Sequence, residues 1–197
     1  DAFVSPLIEG TAQLTVTSGA LSAKVPVTVK TPKEAGELRF RNDILPLLTK
    51  VGCNTGKCHG SASGKDGFRL SLFGYDPEGD HYRITREMGG RRVNLATPED
   101  CLMINKAIGR VPHTGGQRID PSGEGYQLLK RWIESGAPSD PKNTARPIGI
   151  EVYPRQAVFA GKGQSQRMVV RARYDDGTDR DVTRFTVFVG NNDSSAS

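Results

Sequence analysis

The tightest constraint on this chain is a run of seven residues, Cys53-Asn54-Thr55-Gly56-Lys57-Cys58-His59, which gathers two of its three cysteines and one of its three histidines. Thiols and an imidazole set that close together commonly hold something, and whatever they hold becomes part of the local fold. Three chemistries fit the residue types. A structural zinc ion takes four thiolate or imidazole ligands, and His59, His113 or Cys101 would complete the set around the cysteine pair. A Cys53–Cys58 disulfide suits an oxidising compartment, but it leaves the adjacent His59 without a purpose. The third is a covalent c-type haem, whose usual signal C-x-x-C-H has the same ending and two fewer residues between the cysteines.

The haem reading explains the order of the residues. Two thiols add across the vinyl groups of the porphyrin, and the histidine directly after the second cysteine lies beneath the iron as its proximal ligand. The C-H ending is therefore essential, whereas the residues between the cysteines are free to bulge away from the ring, with Gly56 expected to take the positive φ of such a bulge. A second axial ligand is expected on a later loop, before the closing helix. In Val111-Pro112-His113-Thr114-Gly115-Gly116 a stiff proline leads in and two glycines lead out, so the backbone can approach a flat cofactor and present His113. Met103 competes for that role, although Leu102 and Ile104 beside it place it in a helix core. With His59 and His113 both bound, the iron has six ligands and transfers electrons without activating oxygen, at a potential below that of His/Met cytochromes.

Other residues take supporting or bland readings. Arg91 and Arg92 follow the turn Gly89-Gly90 and are candidate partners for the haem propionates, because a guanidinium fork matches a carboxylate; the alternative is a solvated pair. His81, in the acidic stretch Asp76 to Asp80, reads as a surface residue. Cys101 reads as a buried, inert thiol, and Trp132 and Tyr126 as core residues. Two rival functions stay open: a haem enzyme or sensor with a labile distal ligand, and a non-haem structural zinc module.

Patterning divides the chain in three. Gln13 to Val29 alternates like a pair of strands around Ser18-Gly19, and Thr31-Pro32-Lys33 breaks it. From 36 to 142 the character is that of short helices with glycine-rich connections: Leu38 to Lys50, with Pro46 as a kink or an early end; Pro98 to Ile108, capped by Thr97 and stopped by Gly109; and Gly123 to Ser135, capped by Ser122, before a linker over Pro141 to Pro147. Phe68, Leu70 and Leu72 alternate like a strand between the first two. After Pro147 strands return at Ile148 to Val152, Met168 to Tyr174 and Val182 to Val189. Neither flank alone has the roughly seven strands of a two-sheet sandwich. Asp1 to Ile8 has no basic or apolar leader pattern and lies within strand-like sequence, as in a chain cut from something longer. No run approaches the roughly 20 apolar residues of a membrane span. The net charge of +5 is spread through interleaved acids and bases, which argues against nucleic acid as a partner.

Several separated motifs then converge on one family. Cys53 to Gly60, the run Gly67-Phe68-Arg69-Leu70-Ser71-Leu72-Phe73-Gly74-Tyr75-Asp76-Pro77, the Val111 to Gly116 loop and the ending Trp132-Ile133-Glu134-Ser135-Gly136-Ala137-Pro138 resemble planctomycete-type cytochrome c domains over about 36–140. Many of those domains carry a Met-Pro-Pro loop where this chain has Val-Pro-His-Thr-Gly-Gly, so the resemblance implies His113 as the distal ligand. The flanks, 1–32 and 147–197, resemble the end and the beginning of bacterial Ig-like group 2 domains. The resemblance implies a mixed fold, a mainly helical haem domain with a small β element between all-β partial sandwiches. It further implies one covalent haem c, a periplasmic or cell-surface location, and a redox partner protein or attached redox domain. Pairing of the two Ig-like halves through their strand edges, within one chain or between neighbours, is a further expectation.

Overall fold

A computed structural model of the chain describes residues 7–29, 38–192 and 194. They belong to two compact units, Asp1–Glu37 and Leu38–Ser197. The first is a β-hairpin in which β1 (Gly10–Ser18) pairs with β2 (Leu21–Val29). Gly19 opens the two-residue turn at φ +57°. Residues directly opposed in an antiparallel pair share a face. Ala12, Leu14 and Val16 therefore stand with Val27, Val25 and Ala23, and the threonines occupy the other side. Within the hairpin Val16 and Val25 stay exposed.

The second unit begins with a π-helical turn, Phe40–Ile44, that runs into helix α1, Leu45–Lys50. Pro46 explains the wide turn: it has no N–H for the Asn42 carbonyl and would clash with it in a regular α-helix. The stripe read from sequence is nevertheless continuous, since Phe40, Ile44, Leu47 and Leu48 are all buried. Helix α4, Glu124–Glu134, crosses this stripe with Leu128, Leu129, Trp132 and Ile133. At the crossing, any side chain at Gly125 would press on Leu47 at 3.1 Å. Ser122 does not cap α4; its hydroxyl and N–H go to Asp120, and Gly123 stands at the cap position.

The acidic stretch is not a loop. Asp76 caps helix α2, Pro77–Thr85, by accepting from the Gly79 N–H, and Pro77 suits the first helical position. This corrects the surface reading of His81, which is half-buried in α2, bonds the Ala137 carbonyl through Nε2 at 2.9 Å, and meets Phe40 and Trp132 edge-on. The residue before it, Asp80, is fully buried, accepting from the Ser71 N–H and hydroxyl at 2.6 Å each and facing Arg83 at 3.1 Å. Burial raises its carboxyl above the ordinary value, against the pull of Ser71 and Arg83. Asp80→Ala would strand those donors, but Asp76 also takes Arg83, at 3.3 Å. The expected loss is therefore about 3 kcal/mol, the low end for breaking a buried pair, read as a lower urea midpoint at unchanged slope.

The helix expected over Pro98–Ile108 is two pieces, a 3₁₀ turn at Pro98–Asp100 and helix α3, Leu102–Ala107. Cys101 breaks it with an extended backbone because its thiol is bonded to Asn94, accepting the N–H at 2.9 Å and donating to the carbonyl at 3.2 Å. Gly109, at φ +73°, follows the helix end.

Strands β3 (Pro147–Tyr153), β4 (Val169–Tyr174) and β5 (Asp179–Asp181) form a separate antiparallel sheet. Val170, Ala172 and Tyr174 alternate inward. The linker expected at 141–147 joins parts that pack together: Asn42 donates to the Ala145 carbonyl, Arg180 pairs with Asp43 at 2.7 Å, and Phe185 rests on the helical core. The strand expected over Val182–Val189 is a correction as well. Pairing stops at Asp181, because a 3₁₀ turn at Thr183–Phe185 leads the chain away and the Thr183 hydroxyl accepts the Val170 N–H. No helix among the described residues is long and apolar enough to cross a membrane.

Candidate cofactor site

The cysteine run follows α1 directly and is wound by its own backbone. Cys53 N–H donates to Leu48, Cys58 N–H to Thr55, and His59 N–H back to Cys53. Gly56 does not adopt the positive φ expected of it; that conformation falls on Gly52, at +83°. Gly60 is the glycine that the loop cannot replace, because a Cβ there would lie 2.0 Å from the Asn54 carbonyl. All three cysteines are free thiols. Burial, reinforced by Cys58 and opposed by Arg118, pushes the Cys53 thiol up to about 11, so it is neutral at physiological pH.

The segment Phe68 to Leu72 is not a sheet strand. Its polar backbone serves the cysteine loop instead: Leu70 N–H donates to the His59 carbonyl at 2.7 Å, and the Phe68 carbonyl accepts from His59 Nδ1–H at 3.0 Å. A carbonyl only accepts, so this bond assigns the ring proton to Nδ1 and leaves Nε2 with a free lone pair. The same device recurs at His113, whose Nδ1–H donates to the Gly116 carbonyl at 2.9 Å. Gly115 makes room for that ring, since a Cβ would meet it at 2.9 Å.

The two imidazoles, 54 residues apart in sequence, face each other with centroids 6.2 Å apart and planes within 9°. Two cavities of about 230 and about 140 Å³ share His59, Lys65, Asp66 and His113 as walls. The first is lined by Cys53 together with Leu48, Phe68, Leu70, Leu102 and Leu129, the second by Cys58, Lys57 and Arg118. Each alone is smaller than the roughly 300 Å³ at which small-molecule sites begin. The residue types that meet here, thiols and imidazoles beside an apolar wall, are those that would hold a flat, largely apolar group with a bound metal.

Met103 also lines the larger cavity while packing on the core. Cys101 is engaged with Asn94 and lines neither cavity. A tetrahedral zinc site needs four donors, and among the described residues no group of three or more His, Cys, Asp or Glu is placed to hold a metal ion. The two arginines differ. Arg91 is exposed at the rim of the larger cavity. Arg92 is buried, and its terminal nitrogens are engaged by Arg83, Glu87, Gly67 and Met88, so it has no free fork for a carboxylate. Sequence reasoning missed the turn Asp66-Gly67 that carries Phe68, although an Asp-Gly pair is a strong turn signal.

Burial holds the His59 imidazole below its ordinary 6.5; the Phe68 bond and Asp66 oppose this, while His113 and Arg92 reinforce it. Between the lowered value and 6.5 the unfolded polypeptide binds more protons than the folded one. The neutral ring's contribution is thus fully present above 6.5 and is lost as pH falls through the lowered value. Denaturant titrations of the polypeptide alone, between about pH 5 and 8, are expected to show that slope, and His59→Gln is expected to flatten it.

No family model, curated protein or solved structure matches the chain.

Proposed function

We propose that residues 36–142 form a c-type cytochrome module that holds one covalent haem through Cys53 and Cys58, with His59 and His113 as axial ligands, and works in outer-sphere electron transfer outside the cytoplasm. The observation that carries this reading is the facing pair of imidazoles, each with Nδ1 tied to a backbone carbonyl and Nε2 left free. When bound, the haem supplies a one-electron iron couple. The chain's own residues do the rest. Cys53 and Cys58 anchor, His59 and His113 orient, Leu48, Leu70 and Leu129 exclude water from one side, and Arg91 at the rim suits a propionate. A redox partner protein, or a redox domain attached to the same protein, would exchange electrons at the exposed rim. The flanking strands fit the reading of Ig-like segments, since β1–β2 carries an apolar face that a lone hairpin cannot bury.

A second reading, a haem enzyme or sensor with a labile distal ligand, is favoured by one feature: among the described residues, the His113 ring's hydrogen bond stays within its own glycine-containing loop. The first test is common to both readings. Protein made where cytochrome maturation operates should gain the mass of one haem and give a c-type pyridine haemochrome spectrum. Colourless protein of polypeptide mass overturns both.

A further inference from the structure

We propose that Arg92 is the positioning residue of His59: it clamps the turn whose carbonyl fixes the imidazole, and so governs how firmly that ring is held. As a statement about a metal ligand this rests on the haem reading; as a statement about the ring it does not.

The turn is Lys65–Phe68, closed by Lys65 N–H to the Phe68 carbonyl at 2.8 Å and Phe68 N–H to the Lys65 carbonyl at 2.9 Å. Its central residues Asp66 and Gly67 have φ of +51° and +73°, the signs of a type I′ turn. The Phe68 carbonyl thus receives two bonds, one closing the turn and one from His59 Nδ1–H. Any slip of the turn displaces the only acceptor shown for that ring nitrogen.

Arg92 is the group that opposes such a slip. It is 6% exposed. One terminal nitrogen donates to the Gly67 carbonyl at 2.9 Å, inside the turn, and contacts Met88 Sδ at 3.7 Å. The other donates to the Arg83 carbonyl at 2.9 Å and pairs with Glu87 at 3.1 Å. The guanidinium carbon lies 4.3 Å from the centre of the Phe68 ring, which lies 4.6 Å from that of His59. Met88, like Asp66, is a non-glycine residue at positive φ, +54°. One planar cation therefore pins two turns of disfavoured backbone and backs the ring that packs on His59. Lysine, a point charge without the fork, cannot reach all four acceptors.

The test follows the His59 ring directly, by NMR of the reduced, ¹⁵N-histidine-labelled protein, which is diamagnetic both with low-spin haem and without haem. In the parent protein His59 should show a single Nδ1–H form with a slowly exchanging proton. Each hydrogen bond from a charged donor that is lost loosens the turn by roughly tenfold, so exchange of that proton should rise about tenfold in Arg92→Lys, which keeps one donor group, and about 100-fold in Arg92→Met, which keeps none. Phe68→Leu removes the ring beneath the guanidinium and should act in the same direction, which covers the case of an unfolded Arg92→Met. Unchanged exchange in Arg92→Lys and Phe68→Leu overturns the proposal. If haem is present and exchange is unchanged, only this inference falls; if exchange responds in colourless protein, only the haem reading falls.

Discussion

Removing both thiols, Cys53→Ala together with Cys58→Ala, is expected to abolish covalent haem completely, so that intact mass falls to that of the polypeptide and any colour is lost on acid–acetone extraction. The proposed attachment has two thioether bonds and no third thiol to take over. Cys101 lines neither cavity and is committed to Asn94. Each single variant should retain one bond and therefore one haem. The two singles should differ in stability. Cys53 packs on the apolar core and its N–H continues α1 through Leu48, whereas Cys58 borders the smaller, more polar cavity beside Lys57 and Arg118. Truncating a core thiol leaves unfilled space, so Cys53→Ala should be the less stable of the two by about 1 kcal/mol, measured by thermal melting. Acid-resistant haem in the double variant would rule out both cysteines as the anchors.

Legibility from sequence followed the range of the interaction. The hairpin of β1 and β2 and the apolar stripes of α1 and α4 rest on periodicity and were readable in outline. Cys53 to His59 and His113 stand out by residue type alone, and the structure brings Cys53, His59 and His113 to one cavity. What escaped was decided by tertiary partners. Helix α2 has an Asp76 cap and a first-turn proline, yet its acidic and glycine residues hid it, and Asp80 is buried only because Ser71 and Arg83 receive it. The period-2 run Phe68 to Leu72 is indistinguishable from a strand until the His59 loop takes its hydrogen bonds. Arg92 was read as a partner for an anion, whereas the fold turns its fork onto backbone carbonyls and Glu87 from three separate segments. A glycine's role was misplaced for the same reason. Gly56 looked like the bulge, but close approach of Asn54 makes Gly60 the residue without an alternative.

His113→Ala separates electron carrier from sensor and decides between the two distal candidates. In the proposed module His59 and His113 would both hold the iron, so the reduced parent protein should bind carbon monoxide slowly or incompletely. Alanine at 113 vacates the face opposite His59, and binding should become rapid and complete, with the ferric spectrum moving from low-spin to high-spin. The substitution removes a half-exposed ring whose bond shown here lies within its own loop, so the cost to folding should be small, about 0.5 kcal/mol, and an altered spectrum is attributable to the iron. Met103→Ala provides the contrast. If Met103 only fills the core, its removal should cost about 2–3 kcal/mol of stability and leave carbon monoxide binding as it was. Should Met103 be the ligand, the two variants would exchange phenotypes, and the parent would show a higher, methionine-like potential. Rapid, complete binding already in the parent protein would instead support the enzyme or sensor reading, with His113 on a loop that yields its position.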